Sequence, residues 1–125
     1  MKPDGTRQTF AQALLNAARG LRYGVRCERN VRIDCCFAVL ALALAAILRV
    51  SAEQWLAIVV CIAVVVAFEL MNTAVEALTD LASPQLHPLA GRAKDCAAAA
   101  CLVVSAGALV VGMIIFAPYV VHLFL

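Results

Sequence analysis

The chain has 125 residues, of which 65% are hydrophobic and 14% are charged. A soluble domain typically carries about 25% charged residues, so this composition excludes an ordinary soluble protein. The apolar residues fall in long blocks, which predicts a single integral membrane domain over residues 1–125. The net charge is only +2, and we expect no nucleic-acid partner.

Positive charge is unevenly distributed along the chain and predicts its orientation. Seven basic residues precede the first apolar block: Lys2, Arg7, Arg19, Arg22, Arg26, Arg29 and Arg32. Arg92 and Lys94 lie between the second and third blocks, whereas only Arg49 lies between the first and second. Because cytoplasmic loops of membrane proteins are enriched in Lys and Arg, we predict a cytoplasmic N-terminus. Three crossings then place the C-terminus outside.

Residues 6–26 are predicted to form an amphipathic helix on the membrane surface. Apolar residues recur at helical spacing from Phe10 to Val25, and arginines share the opposite face with polar residues. A cationic face of this kind meets the anionic headgroups of a membrane. Gly20 and Gly24 leave room for a bend or for a close approach to another helix.

Three transmembrane helices are predicted after the surface helix. They cover about residues 33–49, 55–81 and 94–117. Ser51 is a favourable N-cap for the second helix, and Trp55 is placed for the aromatic belt. Two prolines stop this helix, and Pro118 is predicted to mark the outer end of the third. The six cysteines form no C-x-x-C pair, and most lie in apolar helices, where Cys behaves as a small hydrophobe.

The second predicted span ends in a polar stripe. Four polar residues have the spacing of one helix face: Glu69, Asn72, Glu76 and Asp80. Glu69 lies 14 residues past Trp55, or about 21 Å, at the cytoplasmic margin of a hydrocarbon core about 30 Å thick. Ionisable groups at this depth usually face a protein interior or an aqueous site and mark function. The alternative is a solvated helix end, which would be polar all round rather than striped.

The acidic residues gather at this membrane face and favour phosphoryl transfer. Six acids are grouped there: Glu28, Asp34, Glu69, Glu76, Asp80 and Asp95. Mg²⁺ takes oxygen ligands from carboxylates and substrate phosphates, and Lys94 is suited to hold phosphate charge. Glu69, at the apolar margin, is suited to general-base chemistry. The chain has no Walker A or protein-kinase motif. A membrane Glu is also typical of a proton relay, so the residues alone leave a small proton-coupled transporter subunit using Glu69 as the alternative.

Three sequence blocks resemble one known family. The blocks are Glu28-Arg29-Asn30-x-Arg32-Ile33, Glu69-Leu70-x-Asn72-Thr73-Ala74-x-Glu76 with Asp80, and His87-Pro88-Leu89-Ala90-x-x-Ala93-Lys94-Asp95. Their order and spacing are similar to those of the prokaryotic diacylglycerol kinase / undecaprenol kinase family, over about residues 6–120. The resemblance implies an all-α homotrimeric bundle in the bacterial inner membrane, whose subunits each have a surface helix and three transmembrane helices. It also implies transfer of the ATP γ-phosphate to the hydroxyl of a membrane lipid.

The resemblance assigns roles to individual residues. Glu69 matches the family's catalytic base, and Glu28 and Glu76 match its metal-binding pair, which holds Mg²⁺. The positions that meet ATP in the family correspond to Glu28, Glu76, Gln85, Leu86, His87, Lys94 and Asp95. Asn72 and Asp80 match further polar positions of an active site that the family assembles from neighbouring subunits. No lipid-binding residue is assigned.

The identity of the acceptor lipid rests on finer features of the same blocks. Asn72-Thr73-Ala74-x-Glu76 and Ser83-Pro84-x-x-His87-Pro88-Leu89-Ala90 look like the undecaprenol branch. The surface helix lacks the Arg, Tyr and Trp that the diacylglycerol branch uses, and has Thr9, Asn16 and Ala18 there. Asp34, in contrast, replaces a His that is common in the undecaprenol branch. We therefore expect undecaprenol first and diacylglycerol next.

Overall fold

The computed structural model describes residues 8–83 and 87–124. These residues form four helices: α1 (Phe10–Cys27), α2 (Arg29–Leu48), α3 (Ala52–Ala82) and α4 (Pro88–Phe124). Helices α2, α3 and α4 are each long and apolar enough to cross a membrane. The predictions of an all-α architecture and of three membrane-spanning helices are therefore confirmed.

Two of the helices begin at a side-chain cap. Ser51 Oγ accepts a hydrogen bond from the Gln54 backbone N–H at 3.3 Å, and Gln54 Oε1 accepts one from the Ser51 N–H at 2.9 Å. Thr9 and Gln12 form the same reciprocal pair at the start of α1. Such a capping box gives partners to backbone donors that the first helical turn leaves unpaired. The prediction of Ser51 as an N-cap is confirmed.

A three-residue turn, Arg49 to Ser51, joins α2 to α3. Arg49 has a left-handed backbone conformation with φ of 51°. The Val50 N–H donates to the Ala45 carbonyl at 3.2 Å, which closes the end of α2. A left-handed residue followed by this bond is a common way to stop a helix and reverse the chain. Helices α2 and α3 are consequently antiparallel neighbours.

Pro118 lies inside α4, so the prediction that it marks the end of this helix is wrong. The helix continues past Pro118 to Phe124. Proline removes one backbone hydrogen bond and disfavours a regular helix. Inside a membrane, no water is present to bond with free backbone groups. A helix that continues past the proline therefore leaves fewer backbone groups unpaired than a helix that ends there.

The helices pack around a thin core. Helix α3 has its most extensive contacts with α4 and lesser ones with α2. A cluster of buried apolar residues lies in the half of the bundle that contains the α2–α3 turn: Ala45, Val50, Ile58 and Ile115. Tyr119 Oη donates to Gln54 Oε1 at 2.8 Å and ties α4 to the first turn of α3. Many large apolar side chains point outward, as expected where the surroundings are lipid.

Helix α1 packs tightly against α3 at Gly24. Gly24 is buried, and a Cβ atom at this position would overlap Leu70 Cδ2. No atom lies within 4 Å of a Cβ built at Gly20. The predicted close helix contact is thus present at Gly24, and it places the end of α1 beside the residue that follows Glu69.

We expect Gly24→Val to lower the thermal unfolding midpoint of the protein in detergent. The added side chain displaces Leu70, and overpacking of this kind typically costs about 1–3 kcal/mol. Gly20→Val is the matched control, because it adds the same side chain to the same helix in open space. Equal midpoints for the two variants would contradict a tight α1–α3 contact.

Candidate active site

Glu69 is the one buried charged residue in the part of the chain that the structure describes. Its side chain is 8% exposed. Its backbone carbonyl accepts a hydrogen bond from Thr73 Oγ1 at 3.1 Å, so the Thr73 hydroxyl is directed to the backbone rather than to the carboxylate. The polar stripe of α3 therefore begins inside the helix bundle rather than on a solvated end.

A buried residue of α4 lies level with Glu69. Cys101 of α4 is 7% exposed. Glu69 precedes the end of α3 at Ala82 by thirteen positions, and Cys101 follows the start of α4 at Pro88 by thirteen. The two residues thus lie at one height on antiparallel helices. On α2, one carboxylate oxygen of Asp34 is also buried.

Asn72 and Glu76 are joined one turn further along α3. Asn72 Nδ2 donates to Glu76 Oε1 at 3.0 Å. The Asn72 Oδ1 and Asp34 Oδ2 atoms are buried, and neither has a hydrogen-bond partner among the described residues. Buried oxygen acceptors without partners are costly, and carboxylate and amide oxygens are the ligands that hard divalent cations prefer. The donor set of this region therefore fits a divalent metal ion.

Glu28 lies at the junction of α1 and α2. Its backbone N–H donates to the Gly24 carbonyl at 2.9 Å, but its side chain makes no capping bond to α2. The carboxylate is therefore not committed to helix capping. Glu28 precedes the end of α2 at Leu48 by 20 residues, and Asn72 follows the start of α3 at Ala52 by the same number. Glu28 and Asn72 consequently lie at a similar height.

One chain supplies few of the ligands that a metal ion needs. Among residues 8–83 and 87–124, no group of three or more His, Cys, Asp or Glu side chains is placed to hold a metal ion. Mg²⁺ usually takes only one or two carboxylates and completes its shell with phosphates and water. Substrate phosphates, or residues of another subunit, would have to complete the shell here.

An ion pair joins the end of α3 to the start of α4. Lys94 Nζ lies 2.5 Å from Asp80 Oδ1, and the two side chains are 37% and 69% exposed. An exposed ion pair contributes little to stability, so breaking it costs little free energy. Both groups are therefore available to a ligand. A cavity of about 460 Å³ opens beside this end of the bundle. It is lined by Leu78, Thr79, Ala82, Ser83, His87, Leu89 and Ala90.

The remaining predicted site residues are His87, Asp95, Gln85 and Leu86, and the structure shows few contacts for the first two. His87 borders the cavity, and its Nδ1 accepts a hydrogen bond from the Leu89 N–H at 3.2 Å. Asp95 is exposed on the first part of α4. Gln85 and Leu86 lie outside the described residues.

Comparison with known proteins gives the family. The family described as prokaryotic diacylglycerol kinase matches residues 15–116, which is most of the chain and includes all four helices in whole or in part. This chain belongs to the prokaryotic diacylglycerol kinase family. Membership confirms the resemblance that the three sequence blocks indicate.

Two relatives illustrate the range of this diacylglycerol kinase family. An undecaprenol kinase of Bacillus subtilis is 34% identical over 109 residues, which cover 87% of this chain and 89% of the relative. A diacylglycerol kinase of Synechocystis is 35% identical over 100 residues, which cover 79% of this chain. The match spans only 57% of the length of the Synechocystis protein.

Family membership decides between the two functions that the residues leave open. A member of the diacylglycerol kinase family is a phosphotransferase with an alcohol acceptor, and its substrate is a lipid. Together with the three membrane-spanning helices, this makes the protein a multi-pass membrane lipid kinase. A lipid kinase, rather than a proton-coupled transporter subunit, is therefore the function that the family supports.

The level of Cys101 beside the polar stripe is not evident from its residue type, because Cys in an apolar helix is predicted to be a small hydrophobe. Residues at equal distances from the short α3–α4 connection lie at one height, and counting from that connection places Cys101 level with Glu69. Asp34 is predicted as one of the clustered acids, and the structure adds that one of its oxygens is buried.

Proposed function

We propose that the protein is an ATP- and Mg²⁺-dependent kinase that phosphorylates the hydroxyl of undecaprenol, with diacylglycerol as the next candidate acceptor. The observation that carries this proposal is the burial of Glu69 at 8% exposure, within a helix bundle whose adjoining end holds Asn72, Glu76 and Lys94. A membrane alcohol reaches the protein from the lipid side and a nucleotide reaches it from water, so the two substrates meet at such a margin.

Glu69 acts in this proposal as the general base. Its carboxylate accepts the proton of the lipid hydroxyl as the oxygen attacks the γ-phosphorus, and ADP leaves. The partly dry surroundings strengthen electrostatic interactions within the site. Glu28 and Glu76 would hold Mg²⁺, which would supply positive charge that neutralises the phosphates. Asn72 orients the Glu76 carboxylate through its 3.0 Å hydrogen bond.

The nucleotide is proposed to bind at the ends of α3 and α4. Lys94 is placed to contact a phosphate, with Asp80 fixing the position of its ammonium group at 2.5 Å. The adjoining 460 Å³ cavity, which His87 borders, is a suitable volume for part of a nucleotide. Gln85, Leu86 and Asp95 complete the proposed ATP-binding set on the strength of the sequence resemblance.

Transfer of ³²P from Mg-ATP tests the function directly. Purified protein in micelles receives undecaprenol or diacylglycerol at equal concentration, and the labelled lipid is measured. Turnover is expressed per accessible lipid molecule. We expect undecaprenol to be labelled faster than diacylglycerol. Faster labelling of diacylglycerol would reverse the acceptor assignment, and no labelling of either would refute the proposed activity.

The proposed localisation is the bacterial inner membrane, with the N-terminus in the cytoplasm and the C-terminus outside. The support is the excess of Lys and Arg before α2 and near the start of α4. Single cysteines at Gln8 and Ser51, in a chain whose six native cysteines are replaced by alanine, test this. We expect an impermeant thiol reagent to label Ser51→Cys in intact cells and Gln8→Cys only after lysis. The opposite pattern would invert the topology.

Helix α1 is proposed to be an amphipathic helix on the cytoplasmic surface of the membrane. Arg19, Arg22 and Arg26 are exposed on it, as are Phe10 and Leu14. Such a helix buries its apolar face among lipids and leaves its cations at the headgroups. A spin label in place of Phe10 should be relaxed by lipid-soluble oxygen more than by a water-soluble paramagnet, and the reverse would place α1 away from the bilayer.

The active unit is proposed to be a homotrimer with active sites shared between subunits. The family resemblance motivates this proposal, and the small number of metal ligands in the described part of one chain supports it. Mixing two impaired proteins, Glu69→Gln and Glu76→Gln, at a Mg²⁺ concentration too low to support Glu76→Gln tests sharing. If each site takes these residues from different subunits, mixed oligomers regain activity. Mixed oligomers without recovered activity would indicate that each subunit supplies both residues to one site.

A further inference from the structure

We propose that Arg32 is a positioning residue for Glu28, and that it acts by bridging the junction between α1 and α2. The inference rests on the proposed function, in which Glu28 holds Mg²⁺. Arg32 carries the same sign of charge as a metal ion, so its charge alone gives it no role in metal binding. Its hydrogen bonds across the junction give it one.

A single residue forms the junction between α1 and α2. Glu28 has an extended backbone, with φ of −97° and ψ of 122°, and lies between the end of α1 at Cys27 and the start of α2 at Arg29. Its backbone torsions set the angle between the two helices and the direction of its own side chain together. Whatever fixes this angle therefore also fixes the position of the Glu28 carboxylate.

Arg32 is hydrogen-bonded to both sides of the junction. Its Nη1 atom donates to the Arg26 backbone carbonyl in the last turn of α1 at 3.1 Å. Its backbone N–H donates to the Glu28 carbonyl at 3.3 Å. The last carbonyls of a helix have no partner within that helix, and Arg side chains can bond to them. Arg32 thus ties the end of α1 and Glu28 to the first turn of α2.

Apolar packing holds the opposite side of the junction. Gly24 of α1 lies against Leu70 of α3, and Val31 of α2 is fully buried beside Gly24. Hydrophobic packing is not directional, so this contact keeps the junction close to α3 but does not by itself set the angle between α1 and α2. The bond from Arg32 to Arg26 is directional and restricts this angle.

The Glu28 carboxylate depends on its backbone for its position. The side chain makes no capping bond to α2 and is half-buried. Groups that orient a metal ligand contribute to metal affinity although they do not touch the metal. Arg32 would do this through the backbone of Glu28 rather than through its carboxylate.

A magnesium titration of Arg32→Met gives the first test. Methionine keeps an apolar stem and removes the donors. We expect the Mg²⁺ concentration for half-maximal turnover to rise about 3- to 10-fold, the factor for one hydrogen bond of typical net strength. At saturating Mg²⁺, kcat should stay within about 2-fold of wild type, as when only ground-state binding is lost. Arg32→Lys, which restores a donor, should recover part of the loss.

The direction of the change separates positioning from charge. Removing a cation near a metal site relieves repulsion of Mg²⁺, so a role of Arg32 through charge alone would lower the Mg²⁺ requirement. Arg29→Met is the matched control, because Arg29 is exposed in the same turn of α2 and its side chain has no hydrogen bond to the described residues. It should need no more Mg²⁺ than wild type. An unchanged or lowered requirement in Arg32→Met, or an equal rise in Arg29→Met, would overturn the proposal.

Spin-label mobility supplies a readout that does not need activity. Cys27 is exposed at the end of α1, and a nitroxide is attached to it in a protein whose other cysteines are replaced by alanine. Arg32→Met should make this label more mobile, because the end of α1 is no longer tied to α2, whereas Arg29→Met should leave it unchanged. Equal mobility in wild type and Arg32→Met would overturn the proposal.

The Glu28→Gln background distinguishes failure of this inference from failure of the proposed function. If Arg32 acts through the Glu28 carboxylate, adding Arg32→Met to Glu28→Gln should change the Mg²⁺ requirement less than about 2-fold. The same factor in both backgrounds would overturn the positioning role and leave the metal ligand in place. Wild-type magnesium dependence of Glu28→Gln alone would instead refute Glu28 as a ligand, and with it both the proposed metal pair and this inference.

Discussion

Glu69→Gln is expected to lower turnover at saturating lipid and Mg-ATP by about 10²–10⁴-fold, the range typical for loss of a general base. Glutamine keeps the size and the hydrogen-bonding oxygen of the side chain but cannot accept the proton of the lipid hydroxyl. Assembly should survive, because an uncharged amide is cheaper to bury at this depth than an ionised carboxylate. The measurement is ³²P transfer to lipid by purified protein.

Glu53→Gln is the matched control for this result. Glu53 is an exposed carboxylate in the first turn of the same helix, at the end opposite to the site. It should keep wild-type turnover, and oligomeric state should be checked on each sample. A well-assembled Glu69→Gln protein that retains more than about a tenth of wild-type turnover would lie outside the range for a general base. The base would then have to be Asp80, Asp95 or a bound water.

Glu76→Gln and Glu28→Gln are each expected to raise the Mg²⁺ concentration that gives half-maximal turnover. Loss of a group that only supports a metal ligand typically weakens metal binding about 10–100-fold, so loss of a proposed ligand should cost at least as much. Glutamine removes one negative charge and preserves an oxygen, including the acceptor of the Asn72 hydrogen bond in the case of Glu76. The readout is a magnesium titration at fixed, saturating ATP.

The magnesium titration also has an internal comparison. Glu53→Gln removes the same charge from a site remote from the polar stripe, and its magnesium dependence should match the wild type. If both Glu28→Gln and Glu76→Gln also matched the wild type, the two residues would have no role as metal ligands. A shift in only one variant would assign the metal to that carboxylate and refute the pair.

Helix patterns within a single segment were predictable from the sequence. Long, predominantly apolar segments predict α2, α3 and α4, and the spacing of Asn72 and Glu76 predicts that they meet on one face. Ser51 was identifiable as a cap because its chemistry is local. These features depend on residues within one or two turns of each other, where helix geometry alone determines the neighbours.

Features that depend on two helices were not predictable in the same way. The burial of Cys101 and Glu69 depends on how α4 packs against α3, and the burial of an Asp34 oxygen depends on how α2 packs against α3. A single sequence does not give the rotation of one helix about its axis relative to another. Pro118 shows a different limit, since its intrinsic tendency to end a helix is overridden in α4.

The short turn between α2 and α3 determines how the protein responds to bilayer thickness. The 20 residues of α2 span about 30 Å, the thickness of an average hydrocarbon core, whereas the 31 residues of α3 span about 46 Å. Because the Arg49–Ser51 turn joins the end of α2 to the start of α3 at one level, the excess length of α3 extends past the start of α2. The first end of α3 changes from polar to apolar within one helical turn, whereas the polar residues of its other end are spread from Glu69 to Asp80. We therefore expect hydrophobic mismatch to be accommodated along the polar stripe, so that longer acyl chains cover Glu69 more deeply while the α2–α3 turn stays in place.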